Sequence, residues 1–319
     1  MSGKDNIMNI NNQPLVSVPV ITYNSAKFVL ETLESIKAQT YQNVELIISD
    51  DCSTDNTIEL CQKWIEENKD RFVRTQIITV DNNTGVSANF NRAEAACQGE
   101  WVKPIAGDDI LMPNCIADCV EYVQQHPNVI YLFGRIEAFG ASEERNEYFA
   151  KKVFDYSFFD LDIKEQLERL VFGGNCVPAS TFFYNRQKSI DLGIRNDERI
   201  PLLEDWPKWI NILEKGVKLE FMGKVIVRYR IHENSLSTNR LSAKYMESNY
   251  MFELYYRYPY WKMKNVEYAV KRMAQKNMDL YNLLLEAEKD SIAARHSIAY
   301  RLGRAMLYPI NKIQKWLKK

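Results

Sequence analysis

Five short apolar runs alternate with single amphipathic stretches between residues 15 and 134, and this alternation constrains the fold more than anything else in the chain. "LVSVPVIT" (15–22), "VELIISD" (44–50), "TQIITV" (75–80), "WVKPIA" (101–106) and "NVIYLFG" (128–134) read as buried strands. Asn24-Ser25 offers capping chemistry for a helix running to about Ala38, and Ser53-Thr54-Asp55 does the same for a helix carrying Ile58, Leu60, Cys61, Trp64 and Ile65. A turn at Asn82-Asn83-Thr84-Gly85 precedes a third helix. Strands separated by single helices pair in parallel through right-handed crossovers. The expected architecture is therefore α/β, with a mostly parallel central sheet flanked by helices.

A sheet of this kind binds ligands at the carboxyl ends of its strands. Four polar clusters fall there: Thr22-Tyr23-Asn24, Asp50-Asp51, Asn83 with Gly85, and Asp108-Asp109. The last interrupts an apolar segment, "IAGDDILMP", with two adjacent carboxylates. Neighbouring side chains on an extended chain point to opposite sides, so the two acids are expected to do different work. Burying both unpaired costs several kcal/mol, which asks for a positive charge nearby. The first strand continues as "TYNSAKF", not as a Gly-rich phosphate loop, which argues against a dehydrogenase-type dinucleotide fold.

Beyond about residue 140 the alternation stops. Residues 140–160 read as a loop with aromatic anchors, followed by a helix near 163–172 and an extended "GGNCVPASTFFY". "LLEDWPKWINILEKG" (202–216) begins acidic and continues as an amphipathic helix ending at Gly216. "VIVRYRIHENSLS" (225–237) reads as a strand entering a polar loop, and the rest is almost wholly helical in pattern.

A formal net charge of −1 at pH 7 excludes a general nucleic-acid binder, which carries a basic excess. The polar start "MSGKDNIMNINNQ" lacks the apolar core of a signal peptide, and no apolar run approaches a membrane span. The expectation is a cytoplasmic protein. Its six cysteines lack a paired C-x-x-C framework and read as reduced packing thiols. Cys115 and Cys119, four apart, form at most half a zinc site in a chain with three histidines.

Six ordered elements resemble the family-2 glycosyltransferases: "VSVPVITYN", "SIKAQTYQNVELIISDDCSTDNT", "NTGVSANFNRA", "GEWVKPIAGDDILMP", "LEDWPKWINILEKG" and "YRIHENSLS". The resemblance implies a GT-A fold, Rossmann-like, with a catalytic domain over residues 14–237 and a C-terminal helical extension over 238–319. It further implies an inverting, metal-dependent transfer of one sugar from a nucleotide-sugar, with uridine the expected nucleoside. The product would be a β-linkage on a saccharide or lipid-linked saccharide acceptor, formed during surface-polysaccharide synthesis. Two departures stand out. Pro19 precedes the position where the family shows I-P-T-Y-N, and Ala106 replaces the first acid of D-x-D-D.

Carried onto this chain, the resemblance assigns donor-nucleotide contacts to Thr22, Tyr23, Asn24, Asp51, Asn83 and Asp108. Asn89 and Asn91 are softer candidates. Mn²⁺ or Mg²⁺ takes hard oxygen ligands, and Asp109, with Asp108 as the alternative, is expected to supply them. Arg230, His232 and Ser235 would approach the diphosphate. Asp205 is placed as the base that takes the acceptor proton, with Glu204 as the fallback; both acids also suit a helix N-terminus. Trp206 and Trp209 read as core residues or as a platform for a sugar ring. A non-catalytic saccharide-binding or assembly module with the same fold is the rival reading.

The tail holds two further features. "YMFELYYRYPYWKMK" reads as packing against the catalytic domain or as a homodimer seam. Residues Lys289 to Lys319 carry eight Lys/Arg against Asp290 alone, with Ile298, Leu302, Ala305 and Met306 at helical spacing. Such a basic amphipathic helix suits peripheral contact with the inner face of a cell membrane, or docking on its own protein.

Overall fold

A computed structural model describes residues 13–233, 243–275 and 278. The first half forms β1 (Val16–Thr22), α1 (Val29–Lys37), β2 (Val44–Asp50), α2 (Thr57–Asn68), β3 (Arg74–Ile78), α3 (Val86–Ala96), β4 (Trp101–Val102), β5 (Ile105–Ala106), β6 (Ile110–Leu111) and α4 (Cys115–Gln125). Then follow β7 (Tyr131–Phe139), α5 (Glu143–Tyr148), α6 (Ile163–Phe172), β8 (Phe183–Asn185), α7 (Arg186–Asp191), α8 (Asp205–Glu214), β9 (Leu219–Arg230), α9 (Ala243–Phe252) and α10 (Tyr258–Lys264). A π-helical turn over Glu253–Arg257 joins the last two.

The strand order is β3-β2-β1-β4-β8-β7-β9-β6, with β5 beside β1. Strands β1 to β5 pair in parallel, as the alternation requires. The second half of the sheet is mixed. Short β8 enters antiparallel between β4 and β7, so the fifth apolar run does not join the fourth. Strand β9 then runs parallel to β7, and β6 returns antiparallel along β9. The β6–β9 pairing, Ile110 opposite Arg228, brings Asp108-Asp109 alongside Arg230–His232.

Three predicted elements differ in detail. Residues 140–160, expected as a loop, form α5 and two further helical turns, Phe149–Val153 and Tyr156–Asp160. The run 101–106 splits into β4 and β5, because Pro104 has no amide to donate to a ladder. The first helix starts at Val29, not at Asn24-Ser25. Asn24 adopts φ 51°, and its Oδ1 accepts from the Thr54 amide at 2.8 Å, which ties the loop to the start of α2.

Two apolar clusters flank the sheet. Val18, Val20, Leu33, Ile36, Leu46, Ile48 and the buried face of α4, including Cys115 and Cys119, fill one side. Phe133, Phe159, Leu170, Phe182, Trp209 and Ile210 fill the other. Phe252 of α9 is wholly buried in that second cluster, so residues 243–275 pack onto the catalytic unit. Of the aromatic-dense stretch, Tyr250, Phe252 and Trp261 are buried, which is the packing alternative to a dimer seam. The basic stretch 289–319 lies outside the described residues. Among the described residues no helix is long and apolar enough to cross a membrane.

Candidate active site

Adjacent acids at the end of β2 face different ways. Asp50 accepts from the Thr22 hydroxyl at 2.8 Å and from the Ser53 amide at 2.8 Å. Asp51, 2 % exposed, accepts from the amides of Thr84 and Gly85 at 3.0 and 2.7 Å and pairs with Arg92 at 3.0 Å. Its carboxylate thus shapes the loop after β3. Asn83 donates to the Asp51 carbonyl at 3.3 Å, while Tyr23 stands out from the crevice rim, 49 % exposed. Asn89 donates to the Thr22 carbonyl, and Asn91 binds Asn196 and Glu198, so both softer candidates hold backbone in place.

The second acid pair also divides, but on the turn between β5 and β6, not along an extended strand as expected. Asp108 is partly open, and its Oδ2 lies 2.9 Å from His232 Nε2. Asp109 is 2 % exposed; its Oδ1 accepts the Arg230 amide at 2.9 Å. Burial, with Asp108 beside it, pushes the Asp109 carboxyl well above the usual carboxylate range. Lys103, wholly buried and donating to the carbonyls of Pro104 and Ser180, is the nearby internal cation. A divalent cation beside Asp109 would offset the same desolvation, and its Oδ2 takes no hydrogen bond from a described group. Two adjacent carboxylates suit a hard cation that completes its shell with waters and phosphate oxygens. Among the described residues no group of three or more His, Cys, Asp or Glu is placed to hold a metal ion.

Arg230 departs from its expected place at the diphosphate. Its Nε donates to the Asp108 carbonyl at 2.7 Å and its Nη2 pairs with Glu31 at 2.8 Å. The guanidinium lies between the rings of Phe28 and Phe139, 4.5 and 4.4 Å from their centroids. Through these contacts of Nε and Nη2, Arg230 braces the acid pair. Phe28 also packs against the His232 ring at 4.8 Å. Ser235 lies outside the described residues.

The presumed base sits on a separate support. Asp205 opens α8, and its Oδ1 accepts the Trp206 amide at 2.6 Å while its Oδ2 accepts from Asn175 at 2.7 Å. Burial and the adjacent Asp205 charge push Glu204 up to about 8. The loop before α8 is tied to the first turn of α3, where the Ser87 hydroxyl donates to the Ile200 carbonyl at 2.6 Å and its amide to Pro201. Further along, Lys208 of α8 pairs with Glu94 of α3 at 2.9 Å. Trp209 is buried in the core, and Trp206 packs at 4.4 Å on Phe252, so neither is a free sugar platform.

Residues 17–192, more than half of the chain, match the model of glycosyl transferase family 2. The chain is a family-2 glycosyltransferase. This glycosyltransferase is 27 % identical over 239 residues to the UDP-Glc:alpha-D-GlcNAc-diphosphoundecaprenol beta-1,3-glucosyltransferase WfaP of Escherichia coli, covering 74 % of this chain and 84 % of that one. It is 25 % identical over 233 residues to the putative teichuronic acid biosynthesis glycosyltransferase TuaG of Bacillus subtilis, covering 73 % and 85 %. With glycosyltransferase GlyG of Streptococcus pneumoniae the identity is 31 %, and the match spans only 50 % of that protein's length. Its fold is that of S. aureus TarS. The 1–349 fragment bound to UDP-GlcNAc superposes with a TM-score of 0.59 at 16 % identity, covering 91 % of this chain and 79 % of that one.

Sequence reasoning missed Asn175, Glu31, Phe28 and Arg92. Gly-Gly-Asn reads as a turn whatever its amide does. Glu31 and Phe28 read as ordinary residues of a surface helix.

Proposed function

We propose that this glycosyltransferase moves one sugar from an α-linked UDP-sugar, with inversion, to a hydroxyl of a lipid-linked saccharide in surface-polysaccharide assembly. The observation that carries the reading is the tie between the two halves of the site. The loop ending at Asp205 is hydrogen-bonded to α3 directly behind the loop that Asp51 shapes. A donor seated by the second loop and a base carried by the first would then be held at fixed separation.

In the step itself, an Asp205 oxygen takes the acceptor hydroxyl's proton as the hydroxyl oxygen bonds the anomeric carbon. The bond from the anomeric carbon to the β-phosphate oxygen breaks on the opposite face, and UDP leaves with its electron pair. Asp109 and Asp108, with the donor's phosphate oxygens, would hold Mn²⁺ or Mg²⁺, which when bound supplies counter-charge to the departing diphosphate. The named substrates of WfaP and the UDP-GlcNAc complex of TarS support a uridine donor and, for WfaP, a diphosphoundecaprenol-linked acceptor. A lipid-linked acceptor calls for approach to a membrane. The end of α10 and the helical residues that follow it support that approach: Met263, Val266 and Val270 are exposed there, with Lys262, Lys264 and Lys271 as sequence neighbours.

Calorimetric titration of UDP into the protein, with Mn²⁺ and then with EDTA, tests the donor site. Binding that needs the cation is the expected result. Binding of a different nucleoside diphosphate alone would move the donor away from uridine. Silence with every nucleotide would return the chain to a non-catalytic module.

A further inference from the structure

We infer that Asn175 is a positioning residue for the base, and that the C-terminal segment holds Asn175 in place through Arg257. The inference rests on the reading of Asp205 as that base. Asn175 uses both ends of its amide. Its Oδ1 accepts the Val177 amide at 3.1 Å, which folds the loop back on itself, and its Nδ2 donates to Asp205 Oδ2 at 2.7 Å. The second contact orients the Asp205 carboxylate and favours its charged form.

The loop carrying Asn175 follows α6 with two glycines, Gly173-Gly174, and glycine backbone is costly to order. What orders it comes from eighty residues downstream. Arg257 donates through Nε to the Val171 carbonyl at 2.5 Å and through Nη2 to the Gly173 carbonyl at 3.1 Å. It is 4 % exposed and charge-paired with Glu253 at 3.0 Å. The same guanidinium lies 5.2 Å from the Trp206 ring, whose other neighbour is Phe252. The residue after Asp205 and the residue bonded to Asp205 are therefore both set by the π-helical turn of the C-terminal segment. The charged groups of the surrounding elements are Glu204 and Lys208 on the base's own helix, Arg169 on α6, and Arg257 with Glu253.

Asn175→Asp separates positioning from folding. It keeps an oxygen for the Val177 amide and replaces the donor to Asp205 with a second carboxylate. In the full chain, the Asp205 carboxyl carbon is followed by NMR titration, its signal assigned by its loss in Asp205→Asn. The pH profile of UDP release from UDP-sugars is followed in parallel. The expected result is a tenfold or greater rise in the proton affinity of Asp205. The acid limb of kcat/KM moves the same way, kcat at neutral pH falls about tenfold, and donor KM and Tm stay near wild type. Asn175→Ser, with a shorter donor, recovers part of the loss. An unmoved Asp205 titration in Asn175→Asp would overturn the inference while leaving the base reading intact. A moved titration with an unmoved acid limb would overturn both, because Asp205 would then not be the base.

Discussion

Asp205 and Glu204 share a helix start but meet different surroundings. Asp205 is bonded by an amide on each oxygen, while Glu204 is pushed up to about 8 by burial and its neighbour's charge. Asp205→Asn keeps the size and the helix start but cannot take a proton. Transfer is expected to fall by about 10²–10⁴-fold, the usual worth of a general base, with UDP affinity unchanged by calorimetry. Equal loss of UDP binding would remove Asp205 from the base role. Glu204 makes a separate prediction. Its native proton affinity exceeds its unfolded one, so its stabilising share is full below about pH 4.5 and is lost as the pH rises through about 8. Glu204→Gln should therefore gain Tm relative to wild type across that window, by about 2–4 °C for each ~1 kcal/mol relieved. Parallel melting curves at pH 5 and pH 8 would show the same offset at both if Glu204 ionised normally.

At the scale of elements, the glycine that opens α3 is where the two halves of the site touch. Gly85 has φ +91°, and a Cβ there would stand 2.7 Å from the Pro201 Cβ and 2.9 Å from its carbonyl oxygen. Gly85→Ala is expected to cost about 1–3 kcal/mol in urea unfolding and to weaken UDP binding, since the Asp51-bound amides move with the loop. An alanine variant of wild-type stability and affinity would mean that the contact yields without consequence. The parallel strands were readable because each is a continuous apolar run bracketed by turn residues. Helices α6 and α8 were readable because their apolar period is long and their ends carry Asp162 and Gly216. The extended character of 173–184 was readable, but the place of β8 in the sheet was not, because the three residues Phe183-Tyr184-Asn185 fit many pairings and only β4 and β7 select one. The acid pair was visible as a motif, yet the role of Arg230 was not. Its partner Glu31 lies 199 residues away, and sequence reports no contact at that separation.

Considered whole, the molecule places exposed apolar side chains and lysines at the end of α10 and just beyond it, with Met263 at 84 % exposure. Met263→Ser combined with Val266→Ser should reduce sedimentation of the full chain with vesicles containing phosphatidylglycerol by several-fold. Added salt should weaken what remains, as screening of lysine–phosphate attraction requires. Undiminished binding of the double variant would move any membrane contact to another surface.

The support that Arg257 gives to the loop at 171–175 also has a consequence in time. Translation delivers Asp205 well before the arginine that orders its partner, so a nascent chain holds every acid of the site and still lacks the finished geometry. Competence arrives only when the last described helices dock. With Asp205 as the proposed base, a frameshift or proteolytic cut just beyond β9 would leave a fragment bearing the family's recognisable motifs but not the geometry that base needs.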